Sequence, residues 1–128
     1  GLPVLLPRRT SPATREHLQS ALSLLAQVAT SRQERLKRNV LGIFLTQAPR
    51  VHGHYSRITG TCTFDIGRFA TDTPLATAGL LVRCATEARL WRLGLGRSEV
   101  DEKRLLLLSE RARLHFLHRL GLSGSVTA

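Results

Sequence analysis

The sequence predicts a mostly helical α+β fold, with one antiparallel β-hairpin among helices in the order α-β-β-α-α. Three observations predict it. Ser11-Pro12 and Thr73-Pro74 each combine a capping hydroxyl with proline at the first helical position, ahead of long segments rich in apolar residues. From Arg57 to Ile66 the side chains alternate strictly. Ile58, Gly60, Cys62, Phe64 and Ile66 fall on one side, with Arg57, Thr59, Thr61, Thr63 and Asp65 on the other, the period of a half-buried strand. Ser98 to Leu122 carries helix signals at both ends, with Ser98 as cap, acidic residues in the first turn, and Arg119 and Gly121 at the close.

Taken in order, residues 1–10 read as an extended arm, because Pro3 and Pro7 deny helix and bias their predecessors to extended backbone. A one-sided amphipathic helix is expected over about residues 12–38. Leu18, Ala21, Leu22, Leu25, Val28, Ala29 and Leu36 lie on its apolar face, and Gln19, Ser20, Ser23, Gln27, Thr30 and Glu34 lie opposite. Its last turns hold Arg32, Arg35, Lys37 and Arg38, cations that suit the negative end of the helix dipole. Val40–Gln47 is apolar and partly β-branched and reads as a strand, with a helical continuation as its rival. Arg50–Tyr55 then reads as the loop to the alternating strand, the two strands forming an antiparallel hairpin. Gly67–Asp72 is expected to be loop. The helix from Pro74 to about Leu93 is apolar nearly all round, interrupted by Arg83, Glu87, Arg89 and Arg92, and is expected in the core until Gly94 and Gly96 break it. The compact domain is expected over 11–122, with a flexible tail at 123–128.

On the last helix, Arg104, Arg111, His115 and His118 project onto one arc while leucines occupy much of the rest. Such a helix needs cover on several sides, as the central helix of the domain or as part of an oligomer interface. A lone hairpin is marginal in water and an edge strand wants a partner. A homodimer joining two hairpins into one sheet would satisfy both elements. That plan is similar in outline to the C-terminal dimerisation domain of nidovirus nucleocapsid proteins. The likeness is one of architecture, with no residue motif to carry over.

The charge points to polyanions. Lys and Arg number 19 against nine Asp and Glu, a net +10 over 128 residues, and lysine occurs only at Lys37 and Lys103. Arginine holds phosphate in two-point contacts that lysine cannot make, and a basic domain associates with polyanions, although GC-rich coding also inflates arginine. The first expectation is therefore an oligomerising RNA- or DNA-binding domain, of nucleocapsid or genome-packaging type, that contacts phosphates without sequence specificity. Arg8, Arg9, Arg32, Arg35, Lys37, Arg38, Arg104, Arg111, His115 and His118 are its candidate contacts. Aromatic residues for base stacking are scarce, so phosphate contact should dominate. The alternative is a protein–protein assembly module in which the charge is incidental.

Catalytic signals are sparse. His52-x-His54 near Cys62 offers zinc-type ligands, but at no standard spacing. A small histidine-dependent hydrolase using His52 or His54 is a third reading. There is no Gly-rich phosphate loop, no serine nucleophile elbow and no carboxylate pair at catalytic spacing, so neither enzyme activity nor a cofactor is expected. Cys62 and Cys84 read as small buried hydrophobes in a reducing, intracellular setting, nuclear or cytoplasmic. No apolar run is long enough to span a bilayer. The lack of methionine suggests a processed or excised segment.

Overall fold

The computed structural model describes residues 4–5, 12–28, 36, 38–47 and 49–122. Its elements are β1 (Val4–Leu5), α1 (Pro12–Val28), β2 (Gly42–Thr46), β3 (His54–Ser56), β4 (Thr61–Asp65), α2 (Ile66–Thr71), α3 (Pro74–Arg92) and α4 (Glu99–Leu122), with a 3-10 turn at Pro49–Val51. The fold is mixed α+β and mostly helical, as the sequence predicts. One small sheet, of order β1-β2-β4-β3, runs through it.

The expected hairpin of residues 40–47 with 57–66 is replaced by another pairing. β2 and β4 are parallel neighbours, with Gly42 opposite Thr61 and Thr46 opposite Asp65. The hairpin partner of β4 is β3, which pairs antiparallel to it from His54–Thr63 to Ser56–Thr61. So Arg50–Tyr55, expected to be loop, holds a 3-10 turn and the start of a strand. The short β1, within the expected extended arm, adds in parallel to the other side of β2. The likeness to the nucleocapsid dimerisation domain depended on the larger hairpin and goes with it. The chain also supplies β2 with two neighbours of its own, which removes the isolated hairpin as a reason for dimerisation.

The alternating strand is shorter and more enclosed than its pattern implied. Arg57–Gly60 forms the β3–β4 turn and leaves Ile58 97% exposed. All five residues of β4 are buried, including Thr61, Thr63 and Asp65, because β4 is an internal strand with both faces covered. Gly67–Asp72 is mostly helix instead of loop. The Asp65 side chain, at the end of the strand, accepts a hydrogen bond from the Arg68 N–H and caps α2 within one residue.

The long helices form where their signals place them. α1 begins at Pro12 and buries Leu18, Ala21 and Leu25 while Gln19, Ser20 and Ser23 stay exposed. Of the helix expected over about 12–38, Pro12–Val28 is helical and so are Leu36, Arg38 and Asn39, while residues 29–35 and 37 lie outside the described residues. Thr73 Oγ1 accepts from the Ala76 N–H to start α3, and Ser98 Oγ accepts from the Asp101 N–H to start α4. Residues 1–3, 6–10 and 123–128 of the expected arm and tail lie outside the described residues.

The central helix is α3. It packs against α1, α4, β3 and β4 and buries Ala78, Leu81, Val82, Cys84, Ala85 and Ala88. α4 approaches closely at Gly79, where a Cβ would meet Leu117 Cδ2 at 3.1 Å. α4 buries Leu105, Phe116 and Leu120 but leaves Leu106, Leu107 and Leu114 exposed. Trp91 at the end of α3 has the guanidiniums of both Arg57, at 4.1 Å, and Arg97, at 3.7 Å, over its ring, tying the β3–β4 turn to the α3–α4 connection. Cys62 and Cys84 are both buried, and burial with Cys62 alongside pushes the Cys84 thiol well up. No described helix is long and apolar enough to cross a membrane.

His17 links α1 to the rest of the core. Its Nε2 lies 2.8 Å from Thr77 Oγ1, and its ring meets Phe69 edge-on at 4.5 Å. Burial lowers its pKa from the ordinary 6.5, against a smaller upward pull from Asp72. The folded chain thus resists the proton that the unfolded chain accepts, so this contribution is complete above about pH 6.5 and declines as the pH falls below it. Urea midpoints at about pH 7.5 and about pH 5.5 are expected to differ by less in His17→Gln than in the parent chain.

Candidate anion-binding site

β2 and β4 end side by side at Thr46 and Asp65, and each leads towards a segment carrying an arginine. The 3-10 turn after β2 holds Arg50, and α2 after β4 holds Arg68. The region beyond the carboxyl ends of parallel strands is where α/β sheets place ligands. Here it contains a recess of about 350 Å³ whose polar lining is Arg50, His52, His54, Arg68, Asp72, Arg83 and Arg113. Four arginines and two histidines thus face one cavity with a single lining carboxylate.

Arg83 builds the floor. This guanidinium comes from the core helix α3 and donates to the carbonyls of His52, at 3.0 Å, and Gly53, at 3.3 and 3.4 Å. It also donates to Glu110 Oε2 of α4 at 3.2 Å. Glu110 is shared with Arg113, which grips its other oxygen through Nε at 2.8 Å and through Nη2. The Arg113 hydrogen bonds hold the Glu110 carboxyl below its usual range, helped by Arg83 and opposed by partial burial. Arg83 and Arg113 are therefore largely committed to the fold.

The two histidines differ. His52 is buried and uses both ring nitrogens. Its Nδ1 accepts from the Asp65 N–H at 3.0 Å, so the proton sits on Nε2 and is donated to Asp72 Oδ2 at 2.8 Å. No nitrogen remains for proton transfer, and His52 acts as a tie between the start of β3 and the end of α2. His54 Nδ1 lies 2.7 Å from Oε1 of buried Glu87, whose other oxygen accepts from the Tyr55 N–H at 3.2 Å. With Nδ1–H directed at the carboxylate, His54 Nε2 has no partner among the described residues; His54 lines the recess and also the neighbouring hollow at Tyr55, Arg57 and Leu106.

Arg50 and Arg68 are the uncommitted cations. Both are exposed, and neither has an ion pair among the described residues. A surface guanidinium in that condition can take two oxygens of a phosphate or carboxylate in parallel.

The residues singled out in the sequence lie elsewhere. Arg8, Arg9, Arg32, Arg35 and Lys37 are outside the described residues. Arg104, Arg111, His115 and His118 are exposed together on the outer side of α4. Arg38 is exposed at a second basic cleft of about 380 Å³, shared with Asn39, Arg89, Arg92 and Leu93. There Arg92 donates to the Arg38 carbonyl at 3.0 Å and to Asn39 Oδ1 at 3.1 Å. His52, His54 and Cys62 do not converge as metal ligands. Each histidine is held by a carboxylate and Cys62 lies in the core. Among the described residues no group of three His, Cys, Asp or Glu is placed to hold a metal ion.

No family model matches the chain, and no curated protein or solved structure is significantly similar to it.

The recess escaped sequence reasoning because Arg50, Arg68, Arg83 and Arg113 lie far apart along the chain and follow no motif. One signal was present. Arg83 and Glu87 stand one turn apart on a helix that is otherwise apolar nearly all round, and charges on a core helix must be paired or line a cavity.

Gly53 offers a local test of how the recess is held. Its φ of +74° is the left-handed region, and a Cβ there would meet Leu80 Cδ2 at 2.9 Å and Arg83 Nη2 at 3.1 Å. Its N–H donates to the Thr63 carbonyl at 2.7 Å, fixing the entry to β3. Gly53→Ala is expected to cost about 2 kcal/mol, from backbone strain and displacement of the Arg83 guanidinium. A urea unfolding midpoint close to that of the parent chain would show that the turn tolerates a side chain.

Proposed function

We propose that the protein binds nucleic acid, RNA or DNA, through its phosphates, with the recess at the ends of β2 and β4 as its anchoring site. The observation that carries this reading is the pair of uncommitted guanidiniums, Arg50 and Arg68, beside two committed ones on one cavity. The exposed Arg104, Arg111, His115 and His118 of α4 and the cleft at Arg38, Arg89 and Arg92 supply further positive surface along which a polyanion could lie. Phosphate contact does not read bases, so affinity should depend little on sequence.

Binding of short single-stranded RNA and DNA is expected to weaken linearly in log–log form as salt rises, because each phosphate contact releases condensed counterions. Arg50→Ala/Arg68→Ala should lower the magnitude of that slope by about 1 to 2 and weaken all sequences alike. Failure to bind any oligonucleotide at low salt would sink the reading.

A second reading, an assembly module and a homodimer in particular, is favoured by a different observation. Val100, Leu107 and Leu114 recur every seven residues on the outer side of α4 and are 77%, 53% and 51% exposed. Such a row can seat a partner helix, although a stable coiled-coil seam has two apolar positions per seven residues and this row has one. If α4 makes a dimer, light scattering at high micromolar concentration should give twice the chain mass, and Leu107→Glu/Leu114→Glu should return it to one. A single chain mass in the parent protein removes the homodimer.

A further inference from the structure

Resting on the phosphate-binding reading above, we infer that the recess takes a terminal phosphate, a monoester dianion at a chain end, in preference to the internal diesters of a nucleic acid strand. Three features lead there.

The first is shape. The walls come from the turn after β2, the start of β3, α2, α3 and α4, so the cavity is a recess among five segments and not a track along one of them. An internal diester has chain on both sides and must lie across such a mouth. A terminal phosphate can enter it and present three oxygens.

The second is charge. Glu110 is taken by Arg83 and Arg113, Asp72 by His52, and Glu87 by His54 and the Tyr55 N–H. What remains without an ion pair among the described residues lining the recess is Arg50 and Arg68. Two guanidiniums match a dianion better than a monoanion, and each can hold two oxygens of the same group.

The third is His54. His54 lines the recess, and its orientation is set by buried Glu87, which leaves Nε2 without a protein partner among the described residues. Depending on its protonation, that nitrogen can donate to a phosphate oxygen or accept from a singly protonated phosphate. Fixing the ring in advance also lowers the ordering cost of making the contact.

The source of the monoester can be the 5′ or the 3′ end of a strand, and the test separates them. Oligonucleotides of one sequence would be labelled at the end opposite the one varied. They would carry a 5′-phosphate or 5′-hydroxyl in one pair and a 3′-phosphate or 3′-hydroxyl in the other. Binding would be followed by fluorescence anisotropy at fixed salt. The phosphorylated member of at least one pair should bind about tenfold tighter than its hydroxyl partner, and the responding pair identifies the end. That preference should disappear in Arg50→Ala/Arg68→Ala, both exposed positions at which the fold can be checked by circular dichroism. It should persist in Arg104→Ala/Arg111→Ala even as overall affinity drops. Equal binding of phosphorylated and hydroxyl ends overturns the inference and leaves the broader reading standing. A preference that survives Arg50→Ala/Arg68→Ala overturns the assignment to this recess. Absence of binding to every probe at low salt overturns both.

Discussion

The Arg83 guanidinium is the interaction on which the most other parts of the molecule depend. It rises from the central helix and joins the carbonyls of His52 and Gly53 at the start of β3 to Glu110 on α4. A guanidinium this enclosed is tolerable only when its donors are matched, since an unmatched buried charge costs several kcal/mol. Matching it fixes three segments relative to one another. β3 is three residues long and lies at the edge of the sheet, and it would be a weak element alone. Arg83 on one side and Glu87 one turn further along, accepting from His54 and Tyr55, hold it where β4 can pair with it.

The same pairing shapes the electrostatics of the surface. Asp65, Asp72, Glu87 and Glu110 are all turned to internal partners. Glu99, Asp101 and Glu102 gather at the start of α4, where they oppose the positive end of the helix dipole. Among the described residues most carboxylates are thus engaged, while Arg50, Arg68, Arg104 and Arg111 are exposed without an ion pair. Exposed cations stand at the recess (Arg50, Arg68), at the cleft (Arg38, Arg89, Arg92) and on α4 (Arg104, Arg111), where neighbouring charges of one sign reinforce one another.

The helices were readable in the sequence because their signals are local. Thr73-Pro74, Ser98 and the glycines at 94 and 96 each act within a turn of the boundary they mark. The alternation around Cys62 and Phe64 likewise revealed a strand, but a period of two says nothing about which strand lies alongside or in which direction. The pairing of β4 with β2 depends on β3 taking the hairpin position. β3 in turn is written in His54, Tyr55 and Ser56, a triplet without an apolar alternation, and is held by a glutamate 33 residues beyond His54. α2 was missed because its cap, Asp65, is also the last residue of the strand before it. The basic stripe of α4 was legible as a pattern on one helix. The recess was not, because its arginines belong to four segments that only tertiary structure assembles.

The position of β4 has a consequence for how the chain reaches this state. β2 and β3 precede it in the chain, yet they do not touch each other; both pair with β4, which comes last and lies between them. A nascent chain that has emerged only as far as Gly60 therefore holds two strands whose common neighbour does not yet exist. β3 and β4 meet locally across the turn Arg57–Gly60, whereas the parallel pairing of β2 with β4 joins segments on either side of β3 and must wait for that hairpin. Non-local closure of this kind is slow compared with helix formation. It leaves unpaired strand edges exposed while it waits, and it makes the order of synthesis a poor guide to the order of folding.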